Sequence, residues 1–118
     1  MSVPVEVTDL GPHIADRGAV AYLLTVNDDG RAHAVSVAVV VSGGTLECGA
    51  GRRTAANVSA RPQISLLWPA RVADEHSLIV DVDAVVSGAG DDQRVVMSPT
   101  RAVLHRSADC VPLDVRNP

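Results

Sequence analysis

Residues 49–62, GAGRRTAANVSARP, decide how the rest of the chain is read. Three small residues lead into Arg52 and Arg53, an alanine-containing segment follows, and Pro62 closes it. The pattern predicts one short helix that begins at the two arginines. A helix N-terminus carries partial positive charge, so a cation there is disfavoured by about 0.3–1 kcal/mol at an exposed site. Something must offset the pair. A bound anion would do so, because it meets free backbone N–H groups and the positive end of the dipole, and guanidinium groups add bidentate bonds to phosphate. Thr54 would supply a hydroxyl donor, and Gly49, Ala50 and Gly51 would let the backbone come close to the ligand. The competing explanation is an ion pair from Arg52 or Arg53 to an acid, such as Glu47 or an aspartate of a partner chain.

On either side of this helix the sequence reads as β. Residues 9–18, DLGPHIADRG, predict a short helix with Asp9 as N-cap, Pro12 in its first turn and a glycine to stop it. AVAYLLTV at 19–26 has strand length, NDDG at 27–30 is a hairpin turn, and RAHAVSVAVVV at 31–41 puts Val35, Val37 and Val39 on one face with Ser36 and Ala38 on the other. SGG at 42–44 turns the chain into TLECG, and QISLLW at 63–68 follows the arginine-led helix. HSLIVDVDAVV at 76–86 alternates Leu78, Val80, Val82 and Ala84 against Asp81 and Asp83, which places the acids toward solvent. A last strand lies within RVVMSPTRAVLHR, after the loop SGAGDDQ at 87–93. Six or so strands with short turns and one inserted helix suggest a small antiparallel barrel. An immunoglobulin-like sandwich fits the strand spacing too, but the inserted helix counts against it.

Composition narrows the function. The chain has 118 residues, a single-domain length, and no apolar run long enough for a membrane span. The start has no basic region followed by an apolar block, so no signal peptide is expected and a cytoplasmic location is. All ten basic residues are arginine, against fourteen acids. Residues 48–73 hold Arg52, Arg53, Arg61 and Arg71 and no acid, so the rest of the chain sets six arginines against all fourteen acids. One basic window on an acidic protein suits a small anionic ligand. Nucleic acid would call for a broader basic face and more aromatic platforms than Tyr22 and Trp68.

Several chemistries are set aside. The absence of lysine excludes a Walker A loop and a Schiff-base lysine. GAGRRT and GAGDDQ lack the third glycine of a dinucleotide fingerprint, and no GxSxG elbow occurs. His13, His33, His76 and His105 show no metal-ligand spacing, so no metal is expected. Cys48 and Cys110 pair only if the fold brings them together, and two buried or incidental thiols are the simpler expectation.

With the arginine-led helix in place, the chain resembles the pyridoxamine 5'-phosphate oxidase-like split β-barrel family, whose members include small flavin- and deazaflavin-binding proteins. AYLLTVNDDGRAHAVSV is similar to its opening strand, turn and second strand; GRRTAANVSARPQISLLW is similar to its segment of small residue, basic residue, Asn, arginine-proline and following strand. HSLIVDVDAVV and PTRAVLHR look like the later barrel strands, so the resemblance covers residues 19–106. It implies a mainly β fold, a six-stranded antiparallel split β-barrel with one or two short helices. The whole of 1–118 would form one domain, with the barrel at 18–106 and an irregular tail at 107–118.

The resemblance also implies a homodimer holding a phosphate-bearing cofactor at the subunit interface. By position, Arg53 and Thr54 match the family's phosphate-contacting pair, and Arg52 its usual serine. Val35, Ser36 and Val37 match the strand that lines the ring, and Cys48 and Gly49 the end of the third strand. Thr54 stands where a lysine is common, and Ser36 where proline is. The implied function is a flavin- or deazaflavin-dependent oxidoreductase of unknown substrate. It is not expected to be a true pyridoxamine phosphate oxidase, since only Arg116 follows Arg106, where such members carry further basic residues. The alternative is a non-catalytic dimer that binds or sequesters flavin or haem, or a scaffold with no cofactor. FMN is expected ahead of the deazaflavin coenzyme, whose acidic tail the excess of acids would repel. Arg101 and Arg106 would offset this if they face the groove.

Overall fold

The computed structural model describes residues 2–107. Strand β1 (Ser2–Val5) leads through a 3-10 turn at Val7–Asp9 into helix α1 (Leu10–Arg17). Asp9 holds the N-cap position but makes no side-chain capping bond, and Gly18 ends the helix at φ 94°, its N–H bonded to the Ile14 carbonyl. Strands β2 (Val20–Val26) and β3 (Ala32–Ala38) form the expected hairpin, with Gly30 at φ 87° in its turn. Then come β4 (Val40–Ser42), β5 (Thr45–Gly49), helix α2 (Arg52–Ala60), β6 (Gln63–Trp68), β7 (Ser77–Ser87) and, after a 3-10 turn at Gly90–Asp92, β8 (Arg94–His105).

All pairings are antiparallel, in the order β3-β2-β6-β7-β8-β5-β4, with β1 added to β8. The two ends of this path, β3 and β4, are separated in sequence by Val39 alone. The run expected as one strand at 31–41 therefore serves both edges of the sheet and curls it into a half-open barrel. Val39 is the pivot: it is buried, and its N–H reaches the Ala19 carbonyl at 2.8 Å, just beyond the β2–β3 ladder. Counting β3 and β4 as one run, the six barrel strands stand as expected. Strand β1 is additional, and it pairs with the last four residues of β8.

The β7 alternation holds, with Leu78, Val80, Val82 and Ala84 buried and Asp83 exposed. They join Leu23, Leu66, Val95 and Met97 in a core that excludes water, worth about 1.5–3 kcal/mol per large apolar side chain. Asp81 faces outward and accepts a hydrogen bond from Ser65 Oγ at 2.7 Å. Between β7 and β8 the register slips by one residue: Asp81 pairs with Arg101 and Val82 with Pro99, leaving Thr100 as the extra residue of a bulge. A bulge is where a strand tolerates a proline, which has no N–H to give the ladder. Trp68 is enclosed and donates from Nε1 to the Gly18 carbonyl at 2.9 Å, tying the end of β6 to the end of α1.

Candidate functional site

Helix α2 begins where the sequence predicts, at Arg52, directly after the loop leaving β5. Gly51 is its N-cap and makes no side-chain capping bond, so the first-turn N–H groups have no capping side chain. The helix packs against β2, β7 and β8, with Ala55, Asn57 and Val58 buried. Arg61 follows, its N–H bonded to the Asn57 carbonyl, and Pro62 prevents a further turn.

Arg52 and Arg53 are exposed, and among the described residues neither has an ion pair or a side-chain hydrogen bond. Glu47, the acid named as their competing partner, is instead bonded across the β5–β8 ladder to Arg94 at 2.9 Å. The other two arginines of the basic window are committed. Arg61 bonds the Asp28 carboxylate at 2.7 Å and the Val26 carbonyl at 3.1 Å; Arg71 bonds Glu75, Asp16 and the Asp16 carbonyl. The usable positive charge of the window is therefore the pair at the start of α2.

Thr54 is 4% exposed and, among the described residues, has no side-chain hydrogen-bond partner. No fully enclosed side-chain nitrogen or oxygen lacks a partner among these residues, so the Thr54 hydroxyl must keep some contact with solvent. It is a recessed donor at the same turn as the two guanidiniums. A Cβ built on Gly49 or Gly51 meets no atom within 4 Å, so the approach is open. Arg53 also lines a hollow of about 280 Å³ with Asn27, Asp28 and Asp29. The Arg61 hydrogen bond, aided by its charge and by that of Arg53, holds the Asp28 carboxyl below its ordinary range.

The remaining expected site residues divide by face. Val35 and Val37 are half-buried against the core, whereas Ser36 faces outward opposite Tyr22. Cys48 is 2% exposed and free, so its side chain belongs to the core, and burial pushes its thiol up to about 11. Only its backbone, and Gly49 beside it, can meet a ligand outside the barrel. Cys110 lies outside the described residues. No cluster of three or more metal-binding side chains occurs among the described residues.

The sequence reading counts Asn57 in the family-like segment but gives it no role in the site. It is 1% exposed, and its Nδ2 donates to Thr25 Oγ1 at 3.0 Å and to Asn27 Oδ1 at 2.8 Å. Beside that resemblance, the local signal is an asparagine at helical spacing from Thr54 and beside Val58, on the face that turns inward. A second hollow, of about 200 Å³, is lined by both aromatic side chains, Tyr22 and Trp68, with Arg17 and Arg71. Both guanidiniums there are engaged by Glu75.

The curled antiparallel sheet with its inserted helix is the split β-barrel of the pyridoxamine 5'-phosphate oxidase-like proteins. The chain belongs to one family with uncharacterized proteins of Mycobacterium bovis and Mycobacterium tuberculosis, to which it is 39% identical over 75% of its own length and 71% of theirs. No family profile matches it. Among solved structures it is similar to a Listeria innocua protein provisionally assigned as a pyridoxamine 5'-phosphate oxidase, with TM-score 0.69, 18% identity, and 86% of this chain and 100% of that one covered. It is similar to the haem storage protein HutZ of Vibrio cholerae, with TM-score 0.63, 15% identity, and 81% and 94% covered. An FAD-binding protein of Mycobacterium smegmatis shares the fold at TM-score 0.59 and 19% identity, with 87% and 95% covered. Among the described residues no helix is long and apolar enough to cross a membrane.

Proposed function

We propose that the protein binds a phosphate-bearing flavin or deazaflavin at the start of α2 and uses it as an oxidoreductase toward a small molecule. The observation that carries this reading is the first turn of α2 itself: two arginines with no ion pair or side-chain hydrogen bond and a recessed Thr54 hydroxyl with no hydrogen-bond partner, among the described residues, beside open backbone at Gly49 and Gly51. Arg52, Arg53 and Thr54 would hold the phosphate, and the outward face of β3 around Ser36 would lie along the ring, flanked by the backbone at Cys48 and Gly49. A bound flavin supplies the hydride or electron transfer itself. The chain's part is to position it, neutralise its phosphate and limit water at the ring.

A second copy would supply the missing cover. Outward on β2, Val20 is 64% and Tyr22 46% exposed, and the facing positions of β3 are the small residues Ala34, Ser36 and Ala38. An apolar strip beside small side chains suits close approach by another sheet or helix, and a two-fold homodimer would make two equivalent sites. Light scattering at micromolar concentration is expected to give a dimer, and Tyr22→Asp a monomer; a wild-type monomer would remove this part of the reading.

FMN is preferred to the deazaflavin coenzyme because Asp28 and Asp29 stand beside Arg53 and would repel a longer acidic tail. Titration of the apo-protein with each cofactor at two salt concentrations tests the order. Tighter, strongly salt-dependent binding of the deazaflavin would reverse it. The similarity to a haem storage protein favours a second reading, binding without turnover. A bound flavin that cycles between a reductant and an acceptor supports the oxidoreductase, whereas stable binding of flavin or haem with no turnover supports storage.

A further inference from the structure

We propose that Asn57 is a positioning residue for the phosphate end of this site, acting through the hydrogen bonds that join α2 to the β2–β3 hairpin. The inference rests on the phosphate reading of α2 given above. Asn57 lies three residues after Thr54 and four after Arg53, so it stands one helical turn below the first turn. Its carboxamide has two N–H donors, and both are used, one to Thr25 Oγ1 and one to Asn27 Oδ1. Thr25 is itself 2% exposed, so the bond between these two side chains is shut away from water, where an unmade hydrogen bond is costly.

The acceptors sit where they can transmit position. Thr25 is on β2, paired with His33 of β3, and Asn27 heads the turn, its N–H bonded to the Arg31 carbonyl and its carbonyl to the Gly30 N–H. Asn57 therefore fixes the height and rotation of α2 against the hairpin whose second strand carries Val35, Ser36 and Val37. The ends that would grip phosphate and ring are set at one spacing by this buried side chain, while Arg61 at the far end of α2 adds an exposed tie to Val26 and Asp28 of the same hairpin. Asparagine is a poor helix former, and leucine or alanine would serve helix and core better there. A role in holding the two parts of the site in register accounts for the choice.

A merely structural Asn57 would lower stability and weaken all flavins alike. A positioning Asn57 would weaken selectively the ligand that has a phosphate. The experiment is to titrate FMN and riboflavin into the full chain as wild type and as Asn57→Ala, with thermal unfolding of each. Wild type is expected to prefer FMN by about tenfold or more, the effect of one charged phosphate contact. In Asn57→Ala that preference should shrink several-fold while riboflavin affinity stays within about twofold. Because Asn57→Ala could unfold, Thr25→Val and Thr25→Ser are measured as well. The valine removes the acceptor at nearly constant volume and should lose part of the preference; the serine keeps the hydroxyl and should restore it. A wild type that binds FMN and riboflavin equally would sink the phosphate reading, and this inference with it. A wild type that discriminates, with Thr25→Val and any folded Asn57→Ala discriminating equally well, would overturn the inference alone.

Discussion

Four arginines fall within twenty residues of one another, and the fold uses them in two ways. Arg61 and Arg71 are tied down: Arg61 to the hairpin turn through Asp28 and the Val26 carbonyl, Arg71 to Asp16 and Glu75 near the end of α1. Arg52 and Arg53 are exposed and, among the described residues, make no ion pair or side-chain hydrogen bond, although Glu47 precedes them by only a few positions. Residue type and charge are the same in both pairs; only the partners differ. Charge counting over residues 48–73 therefore overstates the basic site by a factor of two, and the partners identify which half of the window remains free to bind.

The sharpest test of that difference is to remove one arginine from each pair. Arg53→Ala should weaken FMN binding about ten- to a hundredfold, since a hydrogen bond to a charged group is worth roughly 1.5–3 kcal/mol. Arg71→Ala should leave FMN affinity within about twofold while lowering the unfolding temperature. Isothermal titration and a thermal melt of the same two variants give both readouts. Equal losses of affinity would place the anion site elsewhere, with the aromatic hollow beside Arg71 as the next candidate.

The committed pair has its own signature in pH. Hydrogen bonds from the Arg71 side chain and backbone, with the nearby charges of Arg71 and Arg17, lower the Glu75 carboxyl from 4.5 to about 2. A carboxyl whose folded pKa is depressed stabilises the protein above its unfolded value and loses that contribution as pH falls toward the folded one. The stability that Glu75 adds should thus be whole above about pH 4.5 and gone near pH 2. Glu75→Gln is expected to unfold more easily than wild type at pH 7, with the two curves converging through that window. Parallel curves from pH 7 to pH 2 would mean the cluster is too well solvated to matter.

How far the sequence revealed these features depended on how far apart the partners lie. The inward face of β7 could be read from alternation because period two is local, and the start of α2 from three small residues and a proline within one short segment. The division of the valine-rich run at Val39 could not, since both halves are β-branched and only the change of partner, from β2 to β5, separates them. Strand β1 was hidden for a related reason: SVPV is short, contains a proline, and is a strand only because β8 extends far enough to pair with it. In the proposed site, Arg52, Arg53 and Thr54 could be picked out as a motif from the sequence. Asn57 stood in the same segment, but its partners were not legible, because Thr25 and Asn27 precede it by some thirty residues and only the packed helix brings them to it.

The smallest expected effect lies where the two uses of arginine meet. Asp28 is held by Arg61 and also feels the charge of Arg53, so it links a committed arginine to an uncommitted one. As a neighbour of Arg53 it repels an incoming phosphate; as the partner of Arg61 it helps hold the hairpin to the end of α2. Both groups are exposed, so each influence is weak and screened by salt. Asp28→Asn removes the charge and keeps the shape. If repulsion is the larger influence, FMN affinity rises by a few-fold at low ionic strength, and the gain disappears above about 0.5 M salt. If the tie to Arg61 is the larger, affinity falls at every salt concentration, because the loss is then one of helix position, which ions do not screen. The sign of this change and its salt dependence decide whether the hairpin turn acts on the site as a charge or as a support.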